Sequence, residues 1–262
     1  MLEIQWTEHE RAHWSSRHFV KREHALSALA VNDLNAWVTE LAEWPESPGK
    51  WMKYFEAGHA HRQLCRVENF VQYHGELSAL LRGPAVIDAV GALMGRAAVL
   101  FKEKINFKLP GGAGFEAHQD APAFGMFGHA YHVTMMVAVD DATEANGCLE
   151  FADPVAVGEL LAQTDSGTIH PDVVASLDWE PCEVRAGDVV FFDSYVPHRS
   201  NRNESQSARR ALYVTYNALA DGDVRTAYFE QKRAAFPPEC ERVAGVDYAG
   251  QTSPFNLGNP IR

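Results

Sequence analysis

His118-Gln119-Asp120, followed far downstream by His198 and Arg209, are the residues of this chain whose types and spacing suit chemistry. On a β-strand, side chains two apart share a face, so His118 and Asp120 can grip one ion while Gln119 turns away. His198 supplies the third ligand. Two imidazoles and one carboxylate on one side of an octahedral ion leave the other positions open, as in non-haem Fe(II) oxygenases. An arginine downstream offers a planar fork for an acidic cosubstrate. The twelve histidines also make chance pairs, such as His59 with His61 and His129 with His132. Of these, His59 and His61 read as a solvated turn.

Context separates the first set from the chance pairs. Phe101 to Lys108 alternates bulky and polar residues as a half-buried strand does, and Pro110-Gly111-Gly112-Ala113-Gly114 ends it in turn residues. The ligand pair, within Phe115 to Asp120, then sits on or just after a second short strand. Gly187-Asp188 is a turn, and Val189 to Asp193 is a strand that delivers His198 near its far end. A final strand, Arg209 to Asn217, is expected to run beside the His198 strand.

The remaining elements frame these strands. Apolar residues recur at helical intervals in His24–Leu41 and Gly75–Leu93, so residues 1–98 are expected to be mainly helical support. Strands dominate from about 99 to 217, among them Val133 to Val139. Gly158 to Trp179 reads as an inserted loop placed to cover a pocket mouth, and Pro237 to Arg262 as an irregular tail. No linker or repeat divides the 262 residues, which predicts one domain spanning 1–262. Helices followed by short strands predict a mainly β fold, barrel-like and buttressed by helices. Patterning leaves the particular β architecture open.

Composition narrows the partners. With 46% hydrophobic and 22% charged residues the chain has the make-up of a globular protein with a sizeable core. Its formal charge of −12 and lack of a basic run argue against nucleic acid and anionic membranes, while leaving room for a small anion held by a few buried cations. Four scattered cysteines, an N-terminus without a signal-peptide core, and an apolar window from Pro84 to Phe101 broken by Asp88 and Arg96 predict a cytoplasmic protein that does not cross a membrane. Nothing in the sequence sets an oligomeric state.

From about Phe101 to Asn217 the chain resembles the phytanoyl-CoA dioxygenase superfamily of Fe(II)- and 2-oxoglutarate-dependent oxygenases. The likeness rests on His118-Gln119-Asp120, Glu144-Ala145-Asn146-Gly147-Cys148-Leu149, Gly187-Asp188 through Pro197-His198, and Arg209 eleven residues after His198. It implies a double-stranded β-helix, a jelly-roll barrel related to the cupins. It also implies His118, Asp120 and His198 as iron ligands, Arg209 as the 2-oxoglutarate anchor, and Asn106, Ser200 and Thr134 as further cosubstrate contacts. Molecular oxygen is the co-reactant. Related halogenating enzymes omit the acidic ligand, so Asp120 points to hydroxylation of a small molecule.

A narrower likeness lies in Pro48 to Glu56, Arg66 to Phe70, Lys104 to Lys108 and Asp193 to Ser200, which are similar to bacterial members that hydroxylate the carbon beside phosphorus in 2-aminoethylphosphonate or its N-methylated relatives. It implies that some of Lys50, Lys53, Lys108, Arg199 and Arg202 meet the phosphonate. An acyl-CoA, a betaine and an ectoine-like compound are the alternative substrates. A non-catalytic metal- or ligand-binding barrel and a cupin-like metalloenzyme independent of 2-oxoglutarate are the alternative classes.

Overall fold

The structure, a computed structural model, describes residues 4–56, 62–129, 131–246, 248, 255 and 261. His59 and His61 lie outside the described residues, as does most of the expected irregular tail. In chain order the elements are α1 (Glu8–Arg17), β1 (Phe19–Arg22), α2 (Ala28–Glu43), β2 (Met52–Glu56), β3 (Gln63–Glu68), α3 (Gly75–Leu81), α4 (Pro84–Met94), β4 (Ala98–Lys108) and β5 (Phe115–His118). They continue with α5 (Ala121–Phe124), β6 (His132–Ala138), β7 (Leu149–Phe151), α6 (Pro171–Ser176), β8 (Glu180–Cys182), β9 (Val189–Asp193), β10 (His198–Ser200), β11 (Arg209–Ala218) and α7 (Arg225–Ala235).

The strands form two antiparallel sheets, a seven-stranded one ordered β1-β9-β6-β11-β4-β3-β2 and a four-stranded one ordered β5-β10-β7-β8. This corrects the expected jelly-roll barrel. Among the described residues no ladder joins the sheets, so they face each other as open layers, the chain crossing between them through turns rather than along a continuous ladder. The N-terminal third is likewise less helical than expected. β1, β2 and β3 all belong to the larger sheet, so the sheet is not confined to residues 99–217.

Alternation along the central strands explains the layers. Val133, Met135 and Val137 of β6, Val189 and Phe191 of β9, and Leu212 and Val214 of β11 face the helices, packing on Leu34, Val38 and Leu41 of α2 and on α3 and α4. Met136, Val190, Phe192 and Tyr213 point the other way, onto Leu149 and Phe151 of the smaller sheet. In β4 a register shift opposite Thr215 and Tyr216 lets Ala98 and Leu100 join Ile105 and Phe107 on the helix side. Lys102, Lys104, Asn106 and Lys108 are left on the face between the sheets.

The single helix expected over Gly75–Leu93 is two, broken at Arg82-Gly83. Pro84 has no N–H to continue a helix and disfavours helical backbone just before it, so it starts α4 instead. Gly75–Met94 is apolar and long enough for a membrane span by composition (mean hydropathy 1.4), but Leu77, Leu81, Val90 and Leu93 sit in the core.

Candidate active site

His118 closes β5 and pairs in register with His198, which opens β10. Asp120 is not on the strand. It has helical backbone and stands at the start of α5 with no side-chain cap bond, so a turn, not strand alternation, brings it back beside His118. His118 Nε2 lies 3.8 Å from Asp120 Oδ1, and the two imidazole rings are 4.2 Å apart. Ligand atoms of all three residues fall within 4.8 Å of one another. Among the described residues this is the one cluster of that kind.

The chain holds these rings in a ligand-ready form. His118 Nδ1 is 2.7 Å from the Glu116 carbonyl and His198 Nδ1 is 3.1 Å from that of Val196. A carbonyl only accepts, so each Nδ1 carries the proton and each Nε2 presents its lone pair. Burial pushes His118 down to about 3, with His198 adding to the effect, and burial also lowers His198. Burial alone would raise Asp120, but the facing His198, Lys102 and His118 hold it well below the usual carboxylate range. Neutral imidazoles and an ionised carboxylate are what a hard divalent cation needs.

The sequence placed His198 at the end of the Val189 strand, with Arg209 on the neighbouring strand. The structure differs on both points. β9 and β11 lie in the larger sheet, whereas β10 lies in the smaller one between β5 and β7. The crossing from β9 to β10 is a turn in which Asp193 Oδ1 accepts from the backbone of Tyr195 (2.8 Å) and Val196 (2.9 Å).

Arg209 begins β11 on the inter-sheet face. It is 1% exposed, and Nε, Nη1 and Nη2 all lack a hydrogen-bond partner among the described residues. A buried guanidinium with all three nitrogens idle is costly unless an anion comes to it, so Arg209 suits a carboxylate of a cosubstrate, although it is not among the residues that line the triad's pocket. Arg210 points to the opposite face and is paired with Asp140 at 2.6 Å. Asn106, Thr134 and Ser200 line the same pocket as the triad. Each already makes one side-chain bond: Asn106 Oδ1 accepts from Arg66 (3.0 Å), Thr134 shares a bond with Thr215 (2.9 Å), and Ser200 Oγ accepts from Lys108 (2.9 Å).

Of the five cations offered for a phosphonate, the structure brings only some near. Arg199 lines the pocket but is paired with Glu150 at 2.7 Å, and Lys108 is spent on Ser200 and the Gly147 and Asn201 carbonyls. Lys53 caps α2 through the Ala42 and Trp44 carbonyls, while Lys50 and Arg202 are exposed. Trp51 meets Trp44 at a tilt and Tyr73 edge-on, outside the triad's pocket lining, and Tyr54 is core. His129 and His132 are buried together beside Phe101, apart from the triad's ligand atoms. The residues missed are Lys102 and Lys104, which line the pocket on the same β4 face as Asn106. Counting back in twos from Asn106 marks them.

The chain belongs to the phytanoyl-CoA dioxygenase family, whose profile matches residues 19–211, and it is an Fe(II)- and 2-oxoglutarate-dependent dioxygenase. It is 49% identical over 259 residues to the 2-aminoethylphosphonate dioxygenase of uncultured bacterium HF130_AEPn_1, covering 98% of this chain and 99% of that one. It is 42% identical to the methylphosphonate hydroxylase of Gimesia maris, covering 88% of each. Its fold is shared with EctD from S. alaskensis, solved with 2-oxoglutarate and 5-hydroxyectoine, at a TM-score of 0.70 and 16% identity over 84% of this chain and 81% of that one.

Proposed function

We propose that this enzyme hydroxylates a small phosphonate, foremost 2-aminoethylphosphonate or an N-methylated form, at the carbon bonded to phosphorus. The observation that carries it is a buried two-histidine, one-aspartate cluster in an enzyme whose near-full-length relatives are named for phosphonates. His118, Asp120 and His198 would hold Fe(II), and Arg209 would anchor the distal carboxylate of 2-oxoglutarate through its fork. Iron so bound, with 2-oxoglutarate and molecular oxygen, supplies the oxidation of C–H to C–OH, releasing succinate and carbon dioxide.

The chain's own part is placement and exclusion. The Nδ1 contacts to Glu116 and Val196 fix both rings, so no proton has to leave an imidazole when metal enters. Phe115, Leu149 and Phe192 wall the pocket with apolar surface, keeping bulk water from the reacting carbon. Gln119, between two ligands, faces away and ties the 158–162 segment down, its Nε2 donating to Glu159 (3.2 Å) and Tyr195 (2.7 Å) and its Oε1 accepting from Leu161 (2.9 Å).

The test is succinate formation and one-oxygen mass gain under matched Fe(II) and 2-oxoglutarate, with 2-aminoethylphosphonate, its trimethylated form, methylphosphonate, ectoine and a branched acyl-CoA. Product from a phosphonate is expected. Product from ectoine or the acyl-CoA with none from any phosphonate removes the substrate reading and leaves the oxygenase reading intact.

A further inference from the structure

The chain carries −12 overall, yet the pocket beside the triad holds an excess of positive charge. Lys102 is 9% exposed and Lys104 is partly buried, both on the inter-sheet face of β4. Neither ammonium has a hydrogen-bond or ion-pair partner among the described residues. Lys102 Nζ sits 4.4 Å over the Phe124 ring and Lys104 Nζ 5.5 Å over Tyr213, contacts that leave the N–H donors unused. The other buried lysines behave differently. Lys53 and Lys108 are filled by carbonyls and a hydroxyl, and Lys232 by both oxygens of Glu68 at 2.7 Å.

The neighbouring carboxylates do not make up the deficit. Glu68 is taken by Lys232 and by Arg66 at 3.2 Å, and Asp120 belongs to the triad. Burial pulls both Lys102 and Lys104 below the ordinary lysine range, with the nearby Arg66 also lowering each. Cations left in this state are stabilised by an anion with several acceptor oxygens.

That anion is not the one at Arg209. In the β4–β11 ladder Arg209 pairs with Lys108, whereas Lys104 pairs with Tyr213 and Lys102 with Thr215. At roughly 3.4 Å per residue, Lys104 lies on the order of 14 Å and Lys102 on the order of 20 Å along the ladder from the Arg209 end. A five-carbon diacid anchored at Arg209 does not reach both ends. We propose that Lys102 and Lys104 form the subsite for the doubly charged phosphonate head, setting the carbon beside phosphorus against the triad. The assignment rests on the phosphonate reading above and names residues that hold the group common to both named substrates.

The experiment uses enzyme loaded with Fe(II) and 2-oxoglutarate without oxygen, titrated by calorimetry with 2-aminoethylphosphonate and with methylphosphonate. Lys102→Met and Lys104→Met should each weaken phosphonate binding by about 10- to 100-fold, the loss of one charge-assisted hydrogen bond. Affinity for 2-oxoglutarate, read from the absorption of its iron chelate, should stay within about twofold, which also shows that the variants are folded. Lys102→Arg should recover part of the loss. Unchanged phosphonate affinity in both Met variants of an enzyme whose wild type binds phosphonate overturns the assignment alone. An equal fall in 2-oxoglutarate affinity overturns it in favour of cosubstrate binding. A wild type that binds neither phosphonate removes the substrate reading and this assignment together.

Discussion

Arg209 and Arg210 are neighbours with opposite fates, one buried with every donor idle, the other satisfied by Asp140, Asn35 and Thr39. Arg209→Lys should therefore raise the apparent KM for 2-oxoglutarate about tenfold or more, since an ammonium does not reproduce a two-pronged contact. Arg210→Lys should change it less than about threefold. Steady-state kinetics at saturating phosphonate gives the ranking, and equal effects would show that the wrong arginine has been chosen. At the metal, His118→Ala and His198→Ala should lose stoichiometric iron, measured by metal analysis of anaerobically loaded protein; full occupancy in either would remove that residue from the ligand set. Residue type and order made these positions legible. The face that Lys102 and Lys104 share with Asn106 follows from counting in twos, but their burial does not, because it is decided by β3 and β11 on either side of β4. Of the five cations named from local likeness instead, Lys50 and Lys53 are not among the residues lining the pocket, whereas Arg199 lines it while paired with Glu150.

At the scale of elements, strand pattern located β4, β6, β9 and β11 but not which sheet each short strand joins. β10 is three residues long, and its place between β5 and β7 depends on the Asp193 turn and on partners far away in sequence. The helix break at Gly83-Pro84 was written in the sequence, but apolar periodicity on both sides masked it. The barrel, expected from the order of helices and strands and, as a jelly roll, from resemblance, is not borne out by the hydrogen-bonded topology. Gln119 shows how an element boundary serves the site: it sits between His118 and Asp120 yet spends its amide on the 158–162 segment and Tyr195. Gln119→Leu removes all three bonds and should cost about 1–3 kcal/mol, much of it as local opening. Faster backbone hydrogen exchange at Leu161, with global unfolding little changed, is the expected result. Unchanged exchange there would show that the segment is held by other contacts.

For the whole molecule, two buried ion pairs fasten the last helix to the larger sheet. Arg225 of α7 meets Glu103 of β4 at 2.5 Å, and Lys232 meets Glu68 of β3 at 2.7 Å. Burial alone would raise Glu68, but Lys232 and Arg66 hold it at about 2 against an ordinary 4.5. A carboxyl whose folded value lies below its unfolded one contributes stability in full above the unfolded value, and loses it as pH falls through the folded one. The contribution is thus complete above about pH 4.5 and gone near pH 2. Glu68→Gln leaves Lys232 and Arg66 facing a neutral amide, and should destabilise the protein by about 3–5 kcal/mol at neutral pH. The same change should matter progressively less below pH 4.5, because the unfolded wild-type carboxyl takes up a proton there while the folded one stays ionised down to about pH 2, so folding has to shed that proton. Urea denaturation of the metal-free protein at pH 7 and pH 3 measures the gap between wild type and variant at both ends. A gap that is as wide at pH 3 as at pH 7 would mean that Glu68 acts through packing rather than charge, and that α7 is held to the sheet by its apolar contacts, Tyr228 and Phe229 on Phe101 and Tyr54.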